Sequence, residues 1–184
     1  GHLLVWDEAM NLCTVRAFKT QATDDFANWF WRHPPLYCLF MLMLSPFRTG
    51  FAERVEVLAI AIGVINLVIL FVLNKEAFGK RVALWSCFFI AIMPANVFFN
   101  LWVKRDHPVT TFGLLAVLLL TKGRCMYAGL MLGLALLCKE TAVFYAAALL
   151  ILWFCGAANR RRSRDLAMLA FIALITCGWW YLGV

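Results

Sequence analysis

Long apolar runs, separated by short charged segments, fill most of the chain. The runs are 36–44, 55–73, 82–102, 109–121, 126–138, 141–154 and 166–183. A helix needs about 20 apolar residues to cross the ~30 Å hydrocarbon core of a bilayer, and lipid requires each backbone polar group to be satisfied within the helix. The pattern therefore predicts an all-α, polytopic membrane protein with about six spans. We expect Pro94 to kink the second span, and 109–121 and 126–138 are short for full crossings.

The first 54 residues differ from the rest because charged and aromatic side chains alternate there without a long apolar run. Aromatic rings of this kind favour the membrane–water interface, so 8–19 and 24–31 are predicted to be interfacial helices. The run 36–44, opened by two prolines, is too short to span and is predicted to be interfacial or re-entrant. We expect residues 1–54 to form an extracytoplasmic loop and 55–184 a transmembrane helical bundle, part of a larger membrane domain.

The basic residues predict the orientation of the bundle. Cytoplasmic loops are enriched in Lys and Arg, and three loops are basic: 74–81, 122–124 and 159–164. With these in the cytoplasm, the first loop, Asp106 and the Lys139–Glu140 corner all lie on the opposite face. This arrangement requires that 36–44 does not cross, because a crossing would place Asp7 and Asp106 on opposite faces.

Composition agrees with a membrane protein and removes other classes. The chain is 64% hydrophobic and 15% charged, with a mean hydropathy of +0.82, whereas soluble domains are roughly 45–50% apolar and about 25% charged. The net charge of +7 lies in short loops between apolar runs, so we expect no nucleic-acid partner. Seven irregularly spaced cysteines predict neither a disulfide framework nor a metal site. Beginning at Gly1-His2 without a signal-peptide pattern, the chain is interpreted as part of a longer protein.

Two acidic segments carry the first candidate chemistry. A carboxylate at a membrane boundary is costly to desolvate and marks a candidate functional site. Asp7, followed by Glu8, would serve as a general base toward an acceptor hydroxyl; alternatively, both acids only complement a helix N-terminus. Asp106 would orient a sugar or acceptor, and Lys104 and Arg105 would hold a phosphate. These two cations lie on the face opposite the cytoplasm, where Lys and Arg are disfavoured. Alternatively, this segment is a solvated turn with a local ion pair.

Two basic segments complete the candidate site. Arg32 and His33 precede Pro34-Pro35, which fixes the entry to a helix whose N-terminus would suit a phosphate; alternatively, this is an ordinary proline-initiated interfacial helix. Lys139 and Glu140 are predicted to be buried between apolar runs, and Lys139 would reach a lipid phosphate. The alternative is an internal ion pair that caps two helices.

These segments, taken in order, resemble the membrane glycosyltransferases of the GT-C fold, in particular the protein-mannosyltransferase-like branch with the aminoarabinose transferases. The matching segments are Asp7-Glu8, His33-Pro34-Pro35-Leu36-Tyr37, Asp106-His107-Pro108-Val109-Thr110-Thr111-Phe112 and the Gly-rich stretch from Gly129 to Lys139. The resemblance covers most of the chain and corresponds to the N-terminal catalytic half. The family also treats the His-Pro-Pro segment as a juxtamembrane helix that does not cross.

The resemblance implies a GT-C-like bundle with catalytic acids Asp7, Glu8 and Asp106. It implies transfer of a sugar from a polyprenyl-phosphate donor to a lipid, glycan or protein acceptor, with inversion. The donor phosphate would be bound by Arg32, His33, Arg105 and Lys139. Some members carry Lys where this chain has His33, which weakens the role of that position, and each of the other three could substitute for it. No cofactor is expected, and no ligand cluster for a divalent metal appears beyond the three acids. The site is expected on the extracytoplasmic face of a bacterial inner membrane. A transporter or flippase of a lipid-linked substrate, and a non-catalytic membrane subunit, remain open.

Overall fold

The computed structural model describes residues 34–37, 39–40, 51–100, 105–155 and 163–183. Every regular element in these ranges is a helix, which confirms the predicted all-α class. The elements are α1 (Phe51–Phe78), α2 (Lys80–Ile92), α3 (Pro94–Asn100), α4 (Asp106–Thr121), α5 (Cys125–Cys138), a 3₁₀ turn (Glu140–Ala142), α6 (Val143–Cys155) and α7 (Ser163–Gly183). The predicted interfacial helices 8–19 and 24–31 lie outside the described residues.

Helix α1 is longer than predicted at both ends. It begins at Phe51 and continues through Lys75 to Phe78, so most of the predicted basic loop 74–81 is helical. Gly79 ends it, with a φ of 87° that only glycine adopts readily, and α2 begins at the next residue. The loop is therefore a single-residue corner between two helices.

The predicted kink at Pro94 is confirmed as a break between α2 and α3. Proline disfavours the helical conformation of the preceding residue, and Met93 is extended, with φ −62° and ψ 121°. The amide of Met93 donates to the carbonyl of Ile90 at 3.3 Å, which tightens the last turn of α2. Helix α3 then starts with the proline itself, where the missing N–H has no intrahelical partner to lose.

Helix α4 begins at Asp106, three residues before the predicted run. Pro108 is compatible with this start because the first helical turn tolerates proline. The helix ends at Thr121, and Gly123, with a φ of 73°, turns the chain so that the amide of Arg124 donates to the carbonyl of Leu119 at 2.8 Å. This is a Schellman-type ending, and it leads directly into α5.

Helices α5 and α7 pack in parallel through two glycines. Gly129 lies directly against the backbone carbonyl of Leu169, and Gly133 lies against Thr176 and the carbonyl of Ala173. The partners advance along α7 as the glycines advance along α5, so the two helices run in the same direction. Small residues four positions apart allow this close approach between membrane helices.

Two interhelical ion pairs mark opposite ends of the bundle. Glu76 in the last turn of α1 pairs with Lys122 after α4 at 3.1 Å, and Lys139 pairs with Asp106 at 2.8 Å. Because α5 and α7 are parallel, Arg164 at the start of α7 lies on the Glu76–Lys122 side. The described parts of the three basic segments thus share one end, and Asp106 and Lys139 share the other, as the charge pattern predicted.

Helices α1 and α7 contain stretches long and apolar enough to cross a membrane, Val57–Phe78 and Arg164–Leu182. Three further apolar helical stretches are shorter: Asp106–Thr121, Cys125–Cys138 and Glu140–Phe154. Large apolar side chains such as Val64, Phe171 and Leu174 are exposed on the outside of the bundle, as expected for surfaces that face lipid. These features identify a helical membrane protein. The number of membrane crossings, about six, stays a prediction.

Candidate active site

The centre of the candidate site is the ion pair between Asp106 and Lys139, which lie 33 residues apart in the sequence. Asp106 is the first residue of α4, and Lys139 is the extended residue between α5 and the 3₁₀ turn. The Lys139 Nζ and Asp106 Oδ1 atoms are 2.8 Å apart, and the side chains are 31% and 52% exposed respectively. An ion pair this open contributes about 0.2–1 kcal/mol to stability, so Lys139 can change partner at small cost.

The environment of Lys139 differs from the prediction in two ways. Glu140 is exposed rather than buried, and Lys139 is only partly buried. The ionic partner of Lys139 is Asp106, at the start of another helix. The acid lies at the positive end of the α4 dipole and the lysine at the negative end of the α5 dipole, so the pair also stabilises two helix ends. The predicted alternative, an internal ion pair of Lys139 and Glu140, is therefore wrong in its partner and its burial, although the observed pair also lies at two helix ends.

Two further basic side chains flank the acid. Arg105 and His107 are 9% and 8% exposed, far more buried than Asp106 between them. Arg105 is the residue that precedes the first turn of α4. Arg105 and Lys139 are the cations that a negatively charged ligand could meet at this end, where Asp106 and Glu140 carry an equal negative charge.

A polar contact between α1 and α4 lies in the first two turns of α4, just after Asp106. The Thr111 hydroxyl is 2.7 Å from Asn66 Oδ1 and 3.0 Å from the carbonyl of His107, and Asn66 Nδ2 donates to that carbonyl at 3.4 Å. We call Asn66, Thr111 and the His107 carbonyl the Asn66 cluster. Sequence reasoning did not select it. The available signal was a single amide in the apolar run 55–73, since polar side chains inside spans are usually functional.

A cavity of about 520 Å³ opens beside Asp106, between α1, α2, α3 and α4. Its polar lining is concentrated in four side chains besides His107, and the remainder is mainly aliphatic. The lining residues are Gly63, Asn66, Leu67, Leu70, Ile90, Asn96, Asp106, His107, Thr110 and Leu114. A mostly apolar cleft with a few convergent polar groups is the usual form of a small-molecule site, here suited to an amphipathic ligand.

The proline segment packs at the same end of the bundle. Pro34, Pro35 and Tyr37 are buried, and Leu36 packs against the buried cluster that includes Val109 and Cys138. Helix α1 begins on this side as well, because its last turn lies at the Glu76–Lys122 end. Residues 36 and 51 therefore lie on one side, which supports the requirement that 36–44 does not cross.

Five residues predicted to take part in the site lie outside the described residues: Asp7, Glu8, Arg32, His33 and Lys104. The convergence of Asp7 with Asp106 thus stays a prediction. Within the described ranges, no group of three or more His, Cys, Asp or Glu side chains is arranged to hold a metal ion.

Comparison with known proteins places this arrangement in a family. The family model of the dolichyl-phosphate-mannose-protein mannosyltransferases matches residues 32–181, which include Asp106 and Lys139. Neither a curated protein nor a solved structure matches the chain. Because the matched region covers well over half of the sequence, the chain belongs to the dolichyl-phosphate-mannose-protein mannosyltransferase family and is a glycosyltransferase of the mannosyltransferase type.

Proposed function

We propose that the protein transfers a hexose, of the mannose type, from a polyprenyl-phosphate donor to an acceptor hydroxyl. The observation that carries this proposal is an accessible Asp106–Lys139 pair whose acid lines a mainly apolar cavity. The family name describes a dolichyl-phosphate-mannose donor and a protein acceptor. For this chain the acceptor is left as a lipid, a glycan or a protein.

The cavity matches the two halves of such a donor. Leu67, Leu70 and Ile90 offer an apolar wall for the first isoprene units, while Asp106 and Thr110 offer hydrogen-bonding groups for the sugar. A phosphate placed between them would meet positive charge from Lys139. In this proposal the rest of the polyprenyl chain stays in the bilayer.

The proposed reaction is a single displacement. The acceptor oxygen attacks the anomeric carbon, the bond from that carbon to the phosphate oxygen breaks, and the acceptor proton passes to Asp7, assisted by Glu8. The bonding pair leaves with polyprenyl phosphate, whose growing negative charge is stabilised by Lys139 and Arg105, so no strong acid is required. Attack opposite the leaving group inverts the anomeric centre, by the logic of inverting glycosidases.

The orientation is part of the same proposal. The basic end formed by 74–81, 122–124 and Arg164 would face the cytoplasm, and Asp106 and Lys139 would then lie on the extracytoplasmic face, which we propose to be that of a bacterial inner membrane. Residues 1–54 would then cover the site from that side, bringing Asp7, Arg32 and His33 to it.

The test uses the full-length protein in proteoliposomes with a radiolabelled polyprenyl-phosphate-mannose donor. Lys139→Met should lower kcat/KM by about 10²–10³-fold, as removal of one charge-stabilising group does elsewhere, and Lys139→Arg should recover part of it. Lys122→Met is the matched control, because it breaks a similarly exposed interhelical ion pair at the opposite end. Asp7→Asn should abolish transfer while the protein still inserts. Wild-type turnover in Lys139→Met would contradict the role of the pair.

The same assay separates the main alternative. The break at Pro94 and the polar groups inside the bundle also suit a transporter of a lipid-linked substrate, since broken helices line such sites. Movement of intact donor across the bilayer without a glycosylated product would favour that function. Consumption of donor with formation of a glycosylated product favours the enzyme.

A further inference from the structure

Asn66 occupies an unusual position for an amide. It lies nine residues after Val57 in the 22-residue apolar stretch Val57–Phe78, about 14 Å along the helix and near the middle of the span. At that depth lipid offers the amide no hydrogen-bond partner, so its partners come from the protein or from the cavity that it lines. Asn66 also lines the cavity beside Asp106, so it contributes to the site as well as to packing.

Both hydrogen bonds of Asn66 go to the first half of α4. Its Oδ1 accepts from the Thr111 hydroxyl at 2.7 Å, and its Nδ2 donates to the carbonyl of His107, the residue that follows Asp106, at 3.4 Å. The residue before this helix, Arg105, makes no side-chain capping bond to the first turn, since a guanidinium has no acceptor. The Asn66 cluster is thus a direct polar tie between the Asp106 turn and the middle of α1.

We propose that Asn66 is a positioning residue that fixes the depth and direction of the Asp106 turn relative to the cavity. The inference rests on the proposed sugar transfer for its kinetic consequence, but the placement it describes is independent of that function. Asn66 acts through the backbone of His107 and the Thr111 hydroxyl, and not by contact with the reacting atoms.

The expected effects on folding and on rate distinguish a positioning role from ordinary packing. A hydrogen bond between membrane helices changes the folding equilibrium by only about threefold on average. A displacement of a catalytic group by about 1 Å can reduce the rate by about 10²-fold. Loss of the tie should therefore reduce turnover far more than it reduces the folded population.

The kinetic experiment compares two substitutions that remove the tie with two that keep it. Asn66→Leu and Thr111→Val should each lower kcat at least tenfold, with the KM for donor within threefold and thermal stability nearly unchanged. Thr111→Ser retains the hydroxyl and should restore most of the rate. Thr121→Val is the matched control, because the Thr121 hydroxyl bonds within α4 to the carbonyl of Leu118 at 2.8 Å. Wild-type kcat in Thr111→Val, or a loss that merely follows loss of folded protein, would overturn the inference.

A second readout does not depend on catalysis. In a protein with the seven native cysteines replaced, an Asp106→Cys/Lys139→Cys pair should be joined by a short bifunctional maleimide, because the native side chains are in contact. Adding Asn66→Leu should slow this cross-linking severalfold, whereas adding Thr121→Val should not. If the wild-type protein transfers no sugar but Asn66→Leu slows cross-linking, the proposed function fails and the positioning role stands. Unchanged cross-linking overturns the positioning role even if transfer is confirmed.

Discussion

Gly129→Ala tests whether α5 and α7 are held together by backbone contact. A Cβ atom at this position would collide with the carbonyl oxygen of Leu169, which belongs to a helix backbone and cannot rotate away. Two effects oppose each other. Alanine gains about 0.8–1.0 kcal/mol over glycine in helix propensity, while overpacking costs typically about 1–3 kcal/mol and occasionally more. Because the obstacle is rigid, we expect the high end of the cost and a net loss of about 1–2 kcal/mol.

Gly178→Ala is the matched control, because Gly178 is also helical but has only Leu182 Cδ1 at 4.0 Å from an added Cβ. This variant should keep the propensity gain of up to about 1 kcal/mol. The two substitutions are chemically identical, so the difference between them isolates the contact with α7.

The assay is thermal unfolding in detergent at a fixed scan rate, followed by the monodisperse fraction in size-exclusion chromatography. A separation of about 2–3 kcal/mol corresponds to roughly 5–10 °C in apparent Tm for a chain of this size, with Gly129→Ala the lower. Gly133→Ala should behave like Gly129→Ala, because an added Cβ would lie 2.5 Å from Thr176 Cβ. Equal Tm values for Gly129→Ala and Gly178→Ala would refute the close parallel packing of α5 and α7.

Three further predictions concern other contacts. Glu76→Lys combined with Lys122→Glu should restore any stability that either single change removes. The coupling energy in a double-mutant cycle should be less than about 1 kcal/mol, because the pair is exposed. A larger coupling energy would mean that the pair is buried in the membrane. Tyr181→Phe should lower stability by about 1 kcal/mol, since its hydroxyl donates to the Leu136 carbonyl at 3.0 Å near the end of α5; an unchanged Tm would show that this bond adds nothing. In a cysteine-free background, Lys122→Cys and Thr141→Cys should react with a membrane-impermeant maleimide from opposite sides, and labelling from one side would contradict the two-ended bundle.

The order of the helices could be predicted from the sequence because hydrophobicity alone determines which segments prefer lipid. Pro94 was sufficient to locate the break, since its effect on Met93 is local. The start of α4 was predicted three residues too late, because Pro108 and the charges before it resemble a turn. Proline is also compatible with the first turn of a helix. The end of α1 was also misplaced, since Lys75 and Glu76 are charged but helix-compatible, and only the glycine after them stops the helix.

Only part of the arrangement at the candidate site could be predicted from the sequence, for a physical reason. Asp106 and Lys139 could be selected because charges near a bilayer are costly, but their pairing depends on how α4 and α5 pack, which no local pattern encodes. The role of Asn66 depends on a contact between helices that are distant in sequence. By contrast, Gly129 and Gly133 have the spacing typical of close helix pairs, so the tight packing of α5 was open to prediction from the sequence, although its partner α7 was not.

The unequal lengths of the helices have a consequence for the surrounding bilayer. Helices α4 and α5 have 16 and 14 residues, about 24 and 21 Å at 1.5 Å per residue, against a hydrocarbon thickness of ~30 Å. Short apolar helices thin the adjacent bilayer, and the Glu76–Lys122 pair aligns these helices with α1 at the opposite end, so the shortfall lies on the side of Lys139. If both helices cross the bilayer as predicted, lipid headgroups would be drawn down toward the charged pair. Turnover should then depend on acyl-chain length, falling in thick bilayers where hydrophobic mismatch is greatest.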